Sequence, residues 1–240
     1  MSLHYYPLIN KVITTLNLRD KLAFGSHPNP DEAFRRPFIT IAREPGSGGA
    51  PIARAVAEKL HFTCIDEQII EEIAKSTKKR KEVIKAVDEK GRTAIQDIVH
   101  SLLNVDYVDD IKYVRELVKV VLTYAHQGHV VILGRGANFI TPFAKGLHVN
   151  ITAPYSVRVQ RAMEFEGHTL DIAKDVIAEN EQERKVFIKQ YLKKDSSKCN
   201  AYDMTLNTTY FTVEQARDVI IEAFYRKFPR AVRYGAMFGK

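Results

Sequence analysis

Three glycines fall within Gly46-Ser47-Gly48-Gly49, between the β-branched run Phe38-Ile39-Thr40-Ile41 and the amphipathic stretch Ile52–Leu60. A strand, a glycine-rich turn and a helix N-terminus in that order leave several backbone N–H groups without intrahelical acceptors. Such a nest, helped by the helix dipole, binds phosphate. Pro51 suits the arrangement, because a missing N–H costs little in a first helical turn. The common phosphate loop G-x-x-x-x-G-K-[ST] is not reproduced. Aligned on Gly48, it places Arg43, Gly49 and Ala50 where the first Gly, the Lys and the Ser/Thr belong. The cradle is therefore expected to take its cation from elsewhere. Arg43 beside the loop is the better candidate and Arg54, one turn into the helix, the second; a guanidinium fork grips two phosphate oxygens at once.

Other residues suited to phosphate chemistry follow later strands. Asp66 and Glu67 come after Phe62–Ile65, where a carboxylate could accept a substrate proton or simply cap the next helix. Arg135 lies between Gly134 and Gly136, which let the backbone approach a ligand closely. Arg158 and Arg161 begin a helix, where they oppose its dipole and so call for an anionic partner. Arg184 stands in a long later helix. Mobile arginines of this kind stabilise a moving phosphoryl group; pairing with Glu164, Glu181 or Glu183 is the alternative for them, as pairing with Glu44 is for Arg43. No histidine sits in a nucleophile or metal constellation, and no metal ligands are assigned.

These residues need a scaffold that brings strand ends together. Strands are predicted at Phe38–Ala42, Phe62–Ile65, His129–Leu133, Leu147–Thr152 and Met204–Leu206. Helices are predicted at Ile52–Leu60, Gln68–Ser76, Lys81–Asp88, Thr93–Leu103, Tyr107–His126, Ser156–Phe165, Leu170–Lys193 and Val213–Lys227. Short apolar strands alternating with helices indicate an α/β fold, a parallel sheet covered on both faces. Ligands of such sheets lie at the strands' carboxyl ends, where Arg43, Asp66, Arg135 and Asn207 fall. Residues 1–36 read as a helical extension, Leu8–Leu18, and a turn-rich linker, Gly25–Phe34, so the compact domain is expected over 37–240.

With 240 residues, 45% of them hydrophobic, the chain can bury a full core. No run of about 18 apolar residues marks a transmembrane helix, and no secretory signal is read. Cys64 and Cys199 form no disulfide framework, which fits a cytoplasmic protein. The net charge of +7 calls for anionic partners. Basic residues concentrate in Lys75–Lys90 and in the tail Arg226–Lys240, neither of which interleaves aromatics at a spacing suited to base stacking; that weakens a nucleic-acid reading and leaves small phosphorylated ligands as the expected partners.

The stretches Ile-Ala-Arg-Glu-Pro-Gly-Ser-Gly-Gly, Ile-Asp-Glu-Gln-Ile-Ile, Ile-Leu-Gly-Arg-Gly-Ala-Asn and Tyr202-Asp203-Met204-Thr205-Leu206-Asn207-Thr208, in that order, resemble the cytidylate kinase-like family of P-loop kinases. The resemblance runs from about Pro37 to Phe228. It implies a three-layer αβα P-loop fold with a central five-stranded parallel sheet, adenylate-kinase-like, with a nucleoside-monophosphate-binding insertion at about 75–113 and a LID at about 165–197. It implies transfer of the γ-phosphoryl of ATP to CMP or dCMP with Mg²⁺. By position, Gly46, Ser47, Gly48, Gly49 and Ala50 would hold the ATP phosphates, with Asn207 and Thr208 near the adenine. Arg135 would hold the acceptor phosphate, and Arg158, Arg161 and Arg184 would close over the transferring group; the residues' own positions add Asp66 to the acceptor side and Arg43 to the transfer. Cytidylate kinases keep the Lys that Gly49 replaces, and they have Asp where Gly136 stands, so cytosine specificity is not implied.

The leading expectation is thus an ATP-dependent phosphotransferase acting on a nucleoside monophosphate or similar acceptor. A nucleotide-binding regulator of the same fold without efficient catalysis is the second, and a nucleic-acid binder the third.

Overall fold

The computed structural model describes residues 34, 36–85, 87–103, 109–229 and 231. The expected helix at Leu8–Leu18, the linker before Phe34 and the tail beyond residue 231 lie outside them. Five parallel strands, β1 (Phe38–Arg43), β2 (Thr63–Ile65), β3 (Val130–Leu133), β4 (Gly146–Thr152) and β5 (Met204–Asn207), form one sheet in the order β2-β3-β1-β4-β5. β1 is central, with Ile39 opposite Val131 of β3 and Leu147 of β4. Chain connections leave the sheet in opposite directions beside β1. That is the topological position at which an open α/β sheet forms its ligand crevice.

The period of two along each strand divides the core between the faces. Ile39, Ile41, Val131, Leu133, Val149 and Ile151 point to one side, under α1 (Gly49–Leu60) and α9 (Val213–Lys227). Phe38, Ile65, Val130 and Ile132 point to the other. There they meet α2 (Glu67–Lys75), α4 (Glu89–Leu102) and α5 (Asp109–Gln127), whose Val114, Leu117, Val118, Val121 and Leu122 are buried as their spacing predicts. Phe34, from the stretch read as linker, is also buried here, 6.4 Å from the Phe38 ring centroid.

Helix boundaries differ from prediction around a capping residue that apolar periodicity does not reveal. α3 covers Thr77–Lys85 rather than Lys81–Asp88, and α4 begins at Glu89 rather than Thr93. The reason is Asp88, whose Oδ1 accepts from Gly91 N at 2.8 Å and so starts the later helix instead of ending the earlier one. The short α6 (Ala137–Ile140) has no periodic signal and was not predicted. α7 (Tyr155–Glu166) and α8 (Leu170–Tyr191) complete the chain order.

One buried group makes the fold acid-sensitive. His148, 0% exposed in β4, has Nδ1 2.7 Å from Thr40 Oγ1 and lies between the Phe38 and Phe143 rings. Burial lowers its pKa from 6.5 to about 4, despite the nearby Asp203 carboxylate; Lys227, paired with Asp203 at 2.6 Å, assists the lowering. The native state thus disfavours protonated His148. The stabilisation is complete above pH 6.5 and disappears as pH falls through 4, on the order of 3 kcal/mol in all. Urea melts between pH 7 and 4 are expected to show this loss in the native chain and a flatter profile in His148→Gln.

Candidate functional site

The turn after β1 is tied down from inside. Glu44 N donates to Ile151 O at 3.0 Å, and Ser47 Oγ donates to Glu44 O at 2.8 Å and to Ile151 O at 3.1 Å. The Ser47 hydroxyl is therefore spent on the scaffold. Gly46 and Gly48 have φ of +74° and +82°, and a Cβ on Gly46 would stand 2.7 Å from Arg158 O. The chain closes into α1 with the N–H groups of Gly48, Gly49 and Ala50 lacking acceptors among the described residues. These are the donors an anion would use.

Two of the predicted arginines brace this turn. Arg158, 6% exposed, donates to Ala153 O at 3.1 Å and meets Glu181 at 3.2 Å and Glu44 at 3.6 Å. Glu44 thus pairs with Arg158 rather than with Arg43, and it also accepts from Thr152 Oγ1 and from Ala153 N at 3.2 Å. Arg161 donates to Ser47 O at 3.2 Å, Thr208 Oγ1 at 3.0 Å and Thr208 O at 2.7 Å. Thr208, 1% exposed, donates in turn to Ser47 O at 2.7 Å. Asn207 Oδ1 accepts from Thr209 N at 3.0 Å, and Tyr210 beyond it is 94% exposed. Arg54 stands exposed on α1.

The other three arginines converge. Arg43 pairs with Glu67 at 2.7 Å, Arg184 stands 3.8 Å from the same carboxylate, and Arg135 pairs with Glu71 one turn along α2. Arg184 also donates to Arg43 O at 3.2 Å. Burial lowers the Arg135 pKa, with the Arg43 charge adding to the effect and Glu67 opposing it. Burial, then the Arg43 charge, brings Arg184 down to about 10. Arg135 Nε is buried with no hydrogen-bond partner among the described residues. Glu183 adds a third carboxylate acting on Arg135 and Arg184; the buried Arg135 Nε without a partner is the donor that an arriving anion would satisfy. A cleft of about 310 Å³ opens here at the strand ends, lined among others by Arg43, Arg135, Arg184, Asn150 and Tyr202.

Gly49 explains the direction of Arg43. A Cβ on Gly49 would overlap Arg43 Cβ and lie 2.8 Å from its Cγ. The arginine stem thus fills the space that a side chain at position 49 would need. Its guanidinium ends beside Gly134, where a Cβ would collide with it. The cation near the loop therefore reaches across to the β3 side rather than back over the nest.

Of the predicted pair after β2, Asp66 caps α2, accepting from Ile69 N at 3.0 Å, and Glu67 enters the arginine cluster. Sequence reasoning weighs Glu67 beside Asp66 but assigns only Asp66 to the acceptor, and it does not select Glu71. The i,i+4 spacing of Glu67 and Glu71 places both on one helix face, which was the available signal.

A parallel α/β sheet with a glycine nest at the end of its central strand defines a P-loop kinase-like fold. The model of the cytidylate kinase-like family matches residues 38–210, and the chain belongs to that family. The fold is shared with an uncharacterized protein from Eubacterium ventriosum ATCC 27560, at 21% identity and a TM-score of 0.63 over 80% of this chain and 99% of that one. Shikimate kinase from Bacteroides thetaiotaomicron aligns at 18% identity over 78% of this chain and 97% of that one, with a TM-score of 0.39. A curated relative, uronate isomerase from Corynebacterium glutamicum, is 28% identical over 122 residues, 51% of this chain but only 24% of that protein. Among the described residues, no helix is long and apolar enough to cross a membrane.

Proposed function

We propose that this chain transfers the γ-phosphoryl group of ATP to a phosphate-bearing acceptor, with CMP or dCMP the first candidates. The convergence of Arg43 and Arg184 on Glu67 and of Arg135 on Glu71 one turn away, beside a nest of N–H groups without acceptors among the described residues, carries the reading. The backbone of Gly46–Ala50 fits the donor phosphates. Arg135 and Arg184 hold the acceptor's phosphate, with Asp66 fixing the start of the helix that bears Glu67 and Glu71. Arg158 and Arg161 act as positioning residues, locking the loop to α7 and to the β5 end. Asn207 marks the side on which adenine rests, and Thr208 fastens that segment to the loop.

In the reaction an acceptor phosphate oxygen attacks the γ-phosphorus. A new O–P bond forms, the bridge to the β-phosphate breaks, and ADP leaves with that oxygen. Arg43, at the boundary between nest and cluster, neutralises charge on the moving group as Glu67 yields it. Residues 75–113 form the acceptor-side insertion, and residues 165–197, which carry Glu181 and Arg184, form the LID. Mg²⁺ supplies charge neutralisation for the ATP phosphates, but this loop offers it no side chain: Ala50 has no hydroxyl and Ser47 Oγ is committed to carbonyls. Among the described residues, no group of three or more His, Cys, Asp or Glu could hold a metal. No step is assigned to the ion. ADP formation measured against a panel of nucleoside monophosphates, nucleosides and phosphorylated metabolites tests the reading.

A further inference from the structure

Beside the arginine cleft runs a larger open groove, about 1500 Å³, between the C-terminal half of α8, residues 192–201 and α6. The two share Asn138, Lys185, Ser196 and Ser197 as lining, so the groove continues the cleft outward. Four lysines, Lys189, Lys193, Lys194 and Lys198, line it with no carboxylate within salt-bridge distance among the described residues. The one acid in the lining, Asp195, feels Lys198 and Lys189, but its Oδ1 is taken up by Ser197 N at 2.9 Å and Ser197 Oγ at 2.7 Å. Lysines in a last helical turn complement the dipole, which accounts for Lys189. It does not account for Lys193, Lys194 and Lys198, which follow the helix.

Lys193 carries a second sign. It holds φ +54° just past the C-cap Leu192, a conformation that glycine adopts without strain. A lysine kept there at a backbone cost points to use of its side chain. Phe139, Phe143 and Val186 supply an apolar lining between the charges. We propose that the groove binds a second anionic group, a phosphate ester, borne by the same small acceptor whose first phosphate meets Arg135 and Arg184. The inference rests on the phosphotransferase reading for the first phosphate only, since the lysines can be tested on their own. The acceptor class thereby extends beyond CMP and dCMP, which carry one phosphate, to molecules with two separated phosphates joined by a partly apolar body.

Two probes that differ only in the second phosphate decide the matter: hexyl phosphate and hexanediol bisphosphate, titrated calorimetrically at physiological salt. The bisphosphate is expected to bind the native chain at least about tenfold tighter, a modest sum of several exposed charge pairs. Lys189→Gln with Lys193→Gly and Lys198→Gln is expected to abolish that gain and leave hexyl phosphate unchanged; Lys193→Gly relieves backbone strain, so the triple variant folds. Equal affinity for the two probes, or a gain that survives in the triple variant, overturns the proposal. So does a single-stranded oligonucleotide that binds through these lysines while the bisphosphate shows no gain, which would make the groove a nucleic-acid surface. Arg135→Gln separates the two readings. If it leaves hexyl phosphate binding intact, the acceptor assignment of the arginine cluster fails, and the lysine-dependent gain is still read independently.

Discussion

Arg43→Gly is expected to lower the rate of phosphoryl transfer about 100- to 1000-fold, the loss typical of removing one preorganised charge from a water-poor transition state. Gly49→Lys alone should not help. Its Cβ would overlap Arg43 Cβ, and overpacking of that kind costs roughly 1–3 kcal/mol. The two changes together are expected to recover at least about tenfold of the lost rate. Glycine at 43 removes the Cβ that blocks position 49, and the lysine then runs through the space the arginine stem has left. Alanine at 43 would retain the obstructing Cβ and is the wrong partner for this test. A double-mutant cycle on single-turnover rates measures the coupling. Additive losses would show that the steric relation between the two positions has no bearing on charge placement. In this reading the loop has not lost its cation; the charge enters from the strand instead of the helix.

The second large effect concerns Glu67, whose carboxylate is the nearest counter-charge for Arg43 and Arg184. Glu67→Gln leaves three neighbouring guanidinium groups with Glu71 and Glu183 as their remaining counter-charges. Removing one member of a buried pair costs up to about 3–5 kcal/mol. Glu67 is 29% exposed, so a loss of about 2 kcal/mol is expected here. The sign for anions is the opposite. With the internal carboxylate neutralised, orthophosphate should bind the variant more tightly than the native chain and raise its melting temperature by a larger amount. Thermal melts with and without phosphate measure both effects. A variant that is destabilised but gains no more from phosphate than the native chain would mean that Glu67 only fastens α2 to the sheet and does not occupy an anion site.

Much of the fold was legible because its signals are local. Each strand is short, apolar and bounded by turn residues, the three central ones are largely buried on both faces, and all five appear within a residue of their predicted bounds. The glycine nest was legible because Gly46 and Gly48 need positive φ, and Arg135 because glycines flank it. What escaped was the direction taken by side chains at strand and helix ends. Asp66 and Glu67 are adjacent acids, and sequence cannot say which one caps and which one enters the cleft; the N-cap geometry decides it. Arg158 looks like a free cation on a helix start, yet the carbonyls of Pro45 and Ala153 and two glutamates enclose it. Arg43 looks like a neighbour of the nest, yet Gly49 exists to let its stem pass toward β3. The position of the cluster depends on contacts between residues up to 141 apart, such as Arg184 with Arg43 O.

The central claim is transfer of a phosphoryl group from ATP to an acceptor held by the arginine cluster. Its most direct test is ADP and phosphorylated-product formation from ATP and Mg²⁺ with CMP, dCMP and the wider acceptor panel, in the native chain and in Arg135→Ala. The account predicts turnover that requires a phosphate-bearing acceptor and that falls by about 100-fold or more in Arg135→Ala. ATP binding with no acceptor phosphorylated, or turnover indifferent to Arg135, would contradict it; the first result would make the chain a nucleotide-binding regulator built on a kinase fold.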